Sequence, residues 1–120
     1  MIIGKIERIE KLVGRTIPKP RSKHQKVKGW GRRQGERALV YWIPNHKDPE
    51  NRSQKGVNES EWRKAHKRLM SGEPLTRAWF QEKMRACDKE GGCNFTTIGG
   101  IFQLLRIAKY DEKNSQYIKV

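Results

Sequence analysis

The chain has 120 residues, with 27 Lys and Arg against 13 Asp and Glu for a formal net charge of +14, and only 34% hydrophobic residues. That length holds one domain with a modest core, for which four Trp, three Tyr and three Phe supply the large apolar surfaces, and it excludes a large enzyme with a deep pocket. No window approaches the ~18 uninterrupted apolar residues of a membrane span, and Lys5, Glu7, Arg8, Glu10 and Lys11 break up the apolar run that a signal peptide would need; a soluble, cytoplasmic protein is expected.

Met1 to Arg8 alternates loosely around Ile2 and Ile6 and reads as a short strand or irregular edge. Leu12 to Ile17 reads as a second strand, stopped by Pro18 and Pro20, whose fixed φ and missing N–H exclude a central ladder position. An extended basic connector follows. Lys26–Trp30 and Arg37–Ile43 bracket a Gly-containing turn over 31–36, which predicts a β-hairpin. Arg37–Ile43 is the strongest strand, with Leu39, Tyr41 and Ile43 on one face and Val40 and Trp42 on the other; both faces need cover, so it should be central. Pro44 closes it, and residues 45–56 (NHKDPENRSQKG) read as polar loop.

From residue 58 the period becomes helical. Asn58 and Glu61 have capping-box spacing, and Trp62, Ala65, Leu69 and Met70 recur on one face until Ser71-Gly72. Thr76 is the expected N-cap of a second helix, with Phe80, Met84 and Cys87 as its buried stripe. Thr96 or Thr97 is expected to cap a third, in which Ile98, Ile101, Phe102, Leu105 and Ala108 share a face. Lys109-Tyr110 and Gln116–Val120 then form a terminal hairpin. The expected fold class is α+β: one domain over 1–120, in which a small β-region (1–57) with a basic arm packs on a helical half (58–120).

Charge is concentrated in the first half. Residues 15–37 carry Arg15, Lys19, Arg21, Lys23, Lys26, Lys28, Arg32, Arg33 and Arg37 against Glu36 alone. Such a density repels itself unless an anion neutralises it, which points to nucleic acid; a solvated basic loop is the alternative. Trp30, between Gly29 and Gly31, either stacks on a base or anchors packing. On the first helix Arg63, Lys64, Lys67 and Arg68 form a further cluster, for which a solvated face is again the alternative.

Three short helices followed by a hairpin (NESEWRKAHKRLM, TRAWFQEKMRAC, TTIGGIFQLLRIA, KYDEKNSQYIKV) resemble the winged helix-turn-helix superfamily over residues 58–120. The resemblance implies a third helix in the major groove, with Thr96, Thr97, Gly100, Gln103 and Arg106 towards DNA and Lys113 and Lys119 on the wing. One feature departs from that pattern: Leu104 and Ile107 lie opposite the Ile98/Phe102/Leu105 stripe, so this helix is apolar nearly all round. Burial against the N-terminal sheet or against a second copy of the chain is the alternative, with Gly99-Gly100 serving close backbone approach.

An enzymatic alternative rests on His46, Asn58 and His66, which loosely resemble the His-Asn-His arrangement of HNH nucleases, where histidines activate water and help bind a divalent metal. Cys87 and Cys93 have no zinc-ligand spacing, and Cys87 reads as a reduced core thiol. The sequence therefore predicts a small non-catalytic nucleic-acid-binding protein with no cofactor or metal, favouring duplex DNA over RNA, in a regulatory or accessory role in a bacterium, phage or mobile element. A metal-dependent nuclease and a homodimeric module for an acidic protein partner are the other readings.

Overall fold

A computed structural model describes residues 13–20, 25–43 and 53–120. The expected strand at Met1–Arg8 and the residues Arg21, Lys23 and His46 lie outside them. The expected α+β fold is present. β1 (Lys26–Arg33), β2 (Glu36–Ile43) and β3 (Ser53–Asn58) form an antiparallel sheet in the order β1-β2-β3. α1 (Glu59–Met70), α2 (Arg77–Lys83), α3 (Arg85–Glu90) and α4 (Asn94–Leu104) follow, and β4 (Ala108–Asp111) pairs with β5 (Gln116–Lys119) to close the chain.

β2 is central, as its two-faced apolarity demands: Leu39 and Tyr41 are buried, and Val40 and Trp42 are half-buried on the other side. The β1–β2 turn is tighter than the Gly-containing stretch suggests, because Gln34 (φ 53°) joins Gly35 (φ 78°) at positive φ. Two successive positive φ angles match the right-handed twist of the flanking strands and close a two-residue hairpin loop. Lys28 bulges out of the ladder between the Val27–Tyr41 and Gly29–Val40 pairs. Residues 53–56, expected as loop, belong to β3. With one apolar side chain, Val57, this strand carries almost no periodic signal; its register against β2, Val57 on Leu39 and Gly56 on Val40, forms it.

Segment 14–17 lies along the outer edge of β1. The Gly14 amide donates to the Val27 carbonyl at 2.8 Å, Val27 to Arg15 at 3.1 Å and Ile17 to Gln25 at 2.8 Å, so the expected second strand is a short antiparallel pairing that covers β1 only as far as Val27.

α1 begins as its sequence predicts, with the Glu61 carboxylate accepting from the Asn58 backbone amide at 2.8 Å. The expected second helix is broken at Met84 (φ −127°, ψ 48°) into α2 and α3, although Phe80, Met84 and Cys87 all stay buried. Thr76 caps α2 by accepting from the Trp79 amide at 3.1 Å. α4 starts at Asn94, ahead of the expected threonine caps, and Arg106 reverses the chain beyond it in the left-handed region (φ 61°). Ala108, expected on the third helix, begins β4 instead. Leu75 and Tyr117 exchange both backbone hydrogen bonds, at 2.8 and 3.0 Å, which adds a single-residue strand to the β4–β5 hairpin.

One hydrophobic cluster runs through both halves, from Ile17 and Val27 through Tyr41, Trp62 and Phe80 to Phe102 and Tyr117. Tyr41 ties the layers together: its hydroxyl donates to Asn94 Oδ1, and Asn94 Nδ2 donates to the Cys87 carbonyl at 2.9 Å. α4 is buried on two different sides by its own chain. A Cβ on Gly99 would lie 2.2 Å from the Tyr117 ring, and one on Gly100 would lie 2.4 Å from the Pro18 carbonyl oxygen and 2.6 Å from Ile17 Cγ2. Both glycines thus serve close approach. Leu104 and Ile107 pack, half-buried, against the same cluster.

Candidate nucleic-acid interface

The fold sorts the basic arm into cations that hold structure and cations that face outward. Lys19 belongs to the first kind. Its Nζ donates to the Cys93 carbonyl at 2.9 Å, to Thr96 Oγ1 at 3.0 Å and to Thr97 Oγ1 at 2.7 Å. Burial lowers its ammonium pKa to about 8; the Cys93 thiol opposes that shift, and Arg77 and Lys55 add to it. Lys19 therefore straps segment 13–20 onto the start of α4. Arg33 is structural too. Its Nη1 donates to the Gly56 carbonyl at 3.0 Å and to Asn58 Oδ1 at 3.2 Å, and its guanidinium pairs with Glu90 and, at 3.7 Å, with Glu61. Arg37 stacks 4.2 Å over the Trp30 ring, which packs half-buried against the core, so Trp30 is a packing anchor with one face already taken by a cation.

Arg15, Lys26, Lys28 and Arg32 remain exposed. Lys28 reaches across the sheet to Gln54 Oε1 at 2.8 Å and lies 4.8 Å over the Trp42 ring, while Arg32 donates to the Gly35 carbonyl at 3.1 Å. Between them runs a shallow groove of about 370 Å³, floored by Gly31, Val40 and Gly56 and flanked by Lys28, Arg32, Arg33 and Lys55. Gly31 presents its backbone beside Val40, and a Cβ there would come within 3.1 Å of Val40 Cγ2, whereas Gly56 is buried with its carbonyl taken by Arg33. Among the described residues the only carboxylate lining the groove, Glu90, is engaged by Arg33 and by Gln34 Nε2. Sequence reasoning missed Lys55, because nothing in SQKGVN marks a strand that would carry it to this groove.

On α1, Arg63, Lys64 and Lys67 are exposed and Arg68 is half-buried. Arg63 pairs with Glu59 at 3.1 Å, Lys64 Nζ donates to the Lys83 carbonyl, and Arg68 Nε donates to the Pro74 carbonyl at 3.0 Å while its Nη2 lies 3.8 Å from Glu73. Much of this cluster is therefore spent on tying α1 to its neighbours.

The major-groove face implied for the third helix is not open. Thr96 and Thr97 receive Lys19, Gly100 lies under Pro18, and Thr97 is buried. Gln103 is half-buried; Arg106, just past the helix, and Lys113 and Lys119 on the hairpin are exposed. Two residues of the nuclease alternative, Asn58 and His66, have structural work in this fold. Asn58 is 3% exposed; its Nδ2 donates to Gln34 Oε1 at 3.2 Å and to Glu36 at 3.4 Å, and Glu36, which also accepts from the Ser60 amide and hydroxyl, is held below its usual carboxylate pKa chiefly by that amide. His66 sits edge-on to Phe102, 6.3 Å between ring centres. Among the described residues no three His, Cys, Asp or Glu are grouped so as to hold a metal ion, and no helix is long and apolar enough to cross a membrane. Cys87 is buried in the core, and burial raises its thiol pKa. No family model, curated protein or solved structure matches this chain.

Proposed function

We propose that this protein binds nucleic acid without catalysis, favouring duplex DNA, through phosphate contacts from the open side of its β-sheet. The observation that carries this reading is the shallow groove flanked by Lys28, Arg32, Arg33 and Lys55, whose one carboxylate among the described residues, Glu90, is paired with Arg33. Gly31 places no side chain between these cations, and three of them, Lys28, Arg32 and Lys55, have charge to spare for a polyanion. Duplex is favoured over single strands because sequence-tolerant single-strand binding uses open aromatic faces, whereas Trp30 and Trp42 each have a cation over the ring.

The order of helices, with Leu75 pairing to the closing hairpin, supports the winged-helix resemblance of residues 58–120. The strap over α4 argues for a different surface as the binding face. In this reading the chain acts in the cytoplasm as a small regulatory or accessory protein.

The test is a salt titration of duplex binding by the wild type and by Lys28→Glu with Arg32→Glu. Each lost phosphate contact removes about 0.9 from the log–log salt slope on B-DNA, so the slope should become shallower by about 1.8 and affinity should fall for all sequences alike. Unchanged affinity and slope in the double variant would reject the groove as the binding face.

A further inference from the structure

Among the described residues the strap is the only segment paired to the outer edge of β1, and its pairing ends at Val27. The register fixes which backbone groups the rest of that edge presents. The two-residue loop makes Arg33 and Glu36 a hydrogen-bonded pair, so by the alternation of an antiparallel ladder Gly31 bonds to Ala38. Trp30 and Arg32, opposite Leu39 and Arg37, then turn their N–H and C=O groups away from β2. The bulge at Lys28 moves that alternation by one residue, which is why Val27 and Gln25 face outward and bond to the strap. Beyond the strap and in line with it, Trp30 and Arg32 therefore present the donors and acceptors of a ladder that lacks its next strand.

The side chains along this edge decide what kind of strand it takes. Every exposed residue of β1 is a cation, namely Lys26, Lys28 and Arg32, and Arg15 on the strap is exposed as well. A second copy of the chain would bring the same cations and its own net +14 against them. Carboxylates would be drawn in, since opposite charges directly across a ladder attract and like charges repel. Trp30 and Arg32 put their side chains on one face, where Trp30 is half-buried. On the other face Gly31 has no side chain, and Val40 Cγ2 stands within 3.1 Å of where its Cβ would be. A bare edge glycine is the position that an aromatic ring on the neighbouring strand covers.

We propose that this edge binds an extended acidic segment of a partner protein by strand addition, antiparallel to β1 and in line with the strap. Read from its N-terminus, the core of that segment is an acidic residue opposite Arg32, an aromatic residue over Gly31 and Val40, and an apolar residue beside Trp30. The first and third exchange backbone hydrogen bonds with Arg32 and Trp30, while the N–H of the aromatic residue points away from β1. Backbone pairing supplies the affinity and the three side chains supply the selectivity. The proposal rests on the edge and not on the duplex reading, so the two fail separately.

Amide hydrogen exchange of the full chain, followed by NMR, tests it with acetyl-Thr-Glu-Phe-Val-Glu-amide at millimolar concentration as the probe. In the free chain the Gly31 amide should be protected and those of Trp30 and Arg32 should exchange freely; the peptide should slow both by about fivefold or more, the scale of one net backbone hydrogen bond. N-methylation of the peptide's first Glu or of its Val removes a bond to the edge and should weaken binding by about fivefold or more, whereas N-methylation of its Phe should not. Lys in place of the first Glu should weaken binding to the wild type, and Arg32→Glu should reverse that preference, which attraction to a chain still strongly positive would not do. Protection of both amides in the free chain, protection that appears only as the chain self-associates, protection by duplex DNA in place of the peptide, or peptide binding indifferent to N-methylation would each overturn the proposal.

Discussion

Gly99→Ala is the most direct test of how α4 is held. In an exposed helix this change stabilises, because Ala is favoured over Gly by about 0.8–1.0 kcal/mol in a helix interior. Here the new methyl would stand 2.2–2.4 Å from Cζ, Cε2 and Cε1 of Tyr117, where apolar carbons rest at about 3.5–4.0 Å. Something must move by more than 1 Å, by the same contact distance. Tyr117 has little freedom to do so: its side chain is fully buried, its ring packs 5.5 Å from Phe95 and 5.1 Å from Tyr110, and its backbone is pinned to Leu75. Overpacking of a tight core costs about 1–3 kcal/mol, and a displacement this large belongs at the upper end. Net of the propensity gain, the loss should be about 2 kcal/mol, which lowers Tm by roughly 6–10 °C in a domain of this size. Urea and thermal unfolding monitored by Trp fluorescence measure it. Tyr117→Leu, which removes the ring, should recover part of the loss when combined with Gly99→Ala, giving a coupling that a double-mutant cycle reads. A Gly99→Ala protein as stable as wild type, or more so, would refute the close approach of helix and hairpin.

Neighbouring arginines should separate stability from binding: Arg33→Ala should cost about 1–3 kcal/mol by leaving its acceptors unpaired, whereas the exposed Arg32→Ala should stay within about 0.5 kcal/mol yet weaken duplex binding, as denaturant melts beside gel shifts would show. Leu104→Lys with Ile107→Lys should lower the urea midpoint without halving the sedimenting mass, because both side chains pack half-buried on their own core; a stable species of half the mass would instead reveal a dimer interface. Lys19 has a lowered pKa in the folded chain, about 8 against 10.5, so between those pH values the unfolded chain binds more protons and stability gains a term that rises with pH. The Cys87 thiol, raised by burial, adds a term that falls above pH 9. Lys19→Met should therefore lose the rise between pH 8 and 9, seen as a wild-type minus variant difference in the urea midpoint that grows with pH.

The elements that were legible in the sequence are those whose burial is written in periodic apolar residues. β2 has six apolar or aromatic residues in a row, which only a central strand can cover, and α1 has Trp62, Ala65 and Leu69 on one face with an acidic residue placed to cap it. β3 was invisible for the converse reason. Its pattern, SQKGVN, has one large apolar side chain, and the strand exists because β2 offers a ladder of unpaired backbone groups on that side. The break at Met84 left no trace because it does not disturb the buried stripe: Phe80, Met84 and Cys87 have the spacing of one helix and remain buried across two. α4 was misread at its start because Thr96 and Thr97 have the chemistry of caps, while in the fold both hydroxyls accept from Lys19.

The candidate sites divide along the same line. A run of nine cations says that positive charge is abundant, but a lysine meant for phosphate and a lysine meant for a helix have the same letter in the sequence. What separates Lys19 and Arg33 from Lys28 and Arg32 is the set of acceptors brought to them from residues 20 to 80 positions away: the Cys93 carbonyl and two threonine hydroxyls for Lys19, and Gly56, Asn58, Glu61 and Glu90 for Arg33. A cation saturated by such partners has little left for a ligand, since each new contact must displace one already made. Lys28 and Arg32 each make one exposed hydrogen bond that water can replace at little cost. In the proposed reading, phosphate contacts therefore rest with the cations the fold has left over on the sheet, Lys28, Arg32 and Lys55, and the strongly bonded members of the arm fix where those leftovers stand.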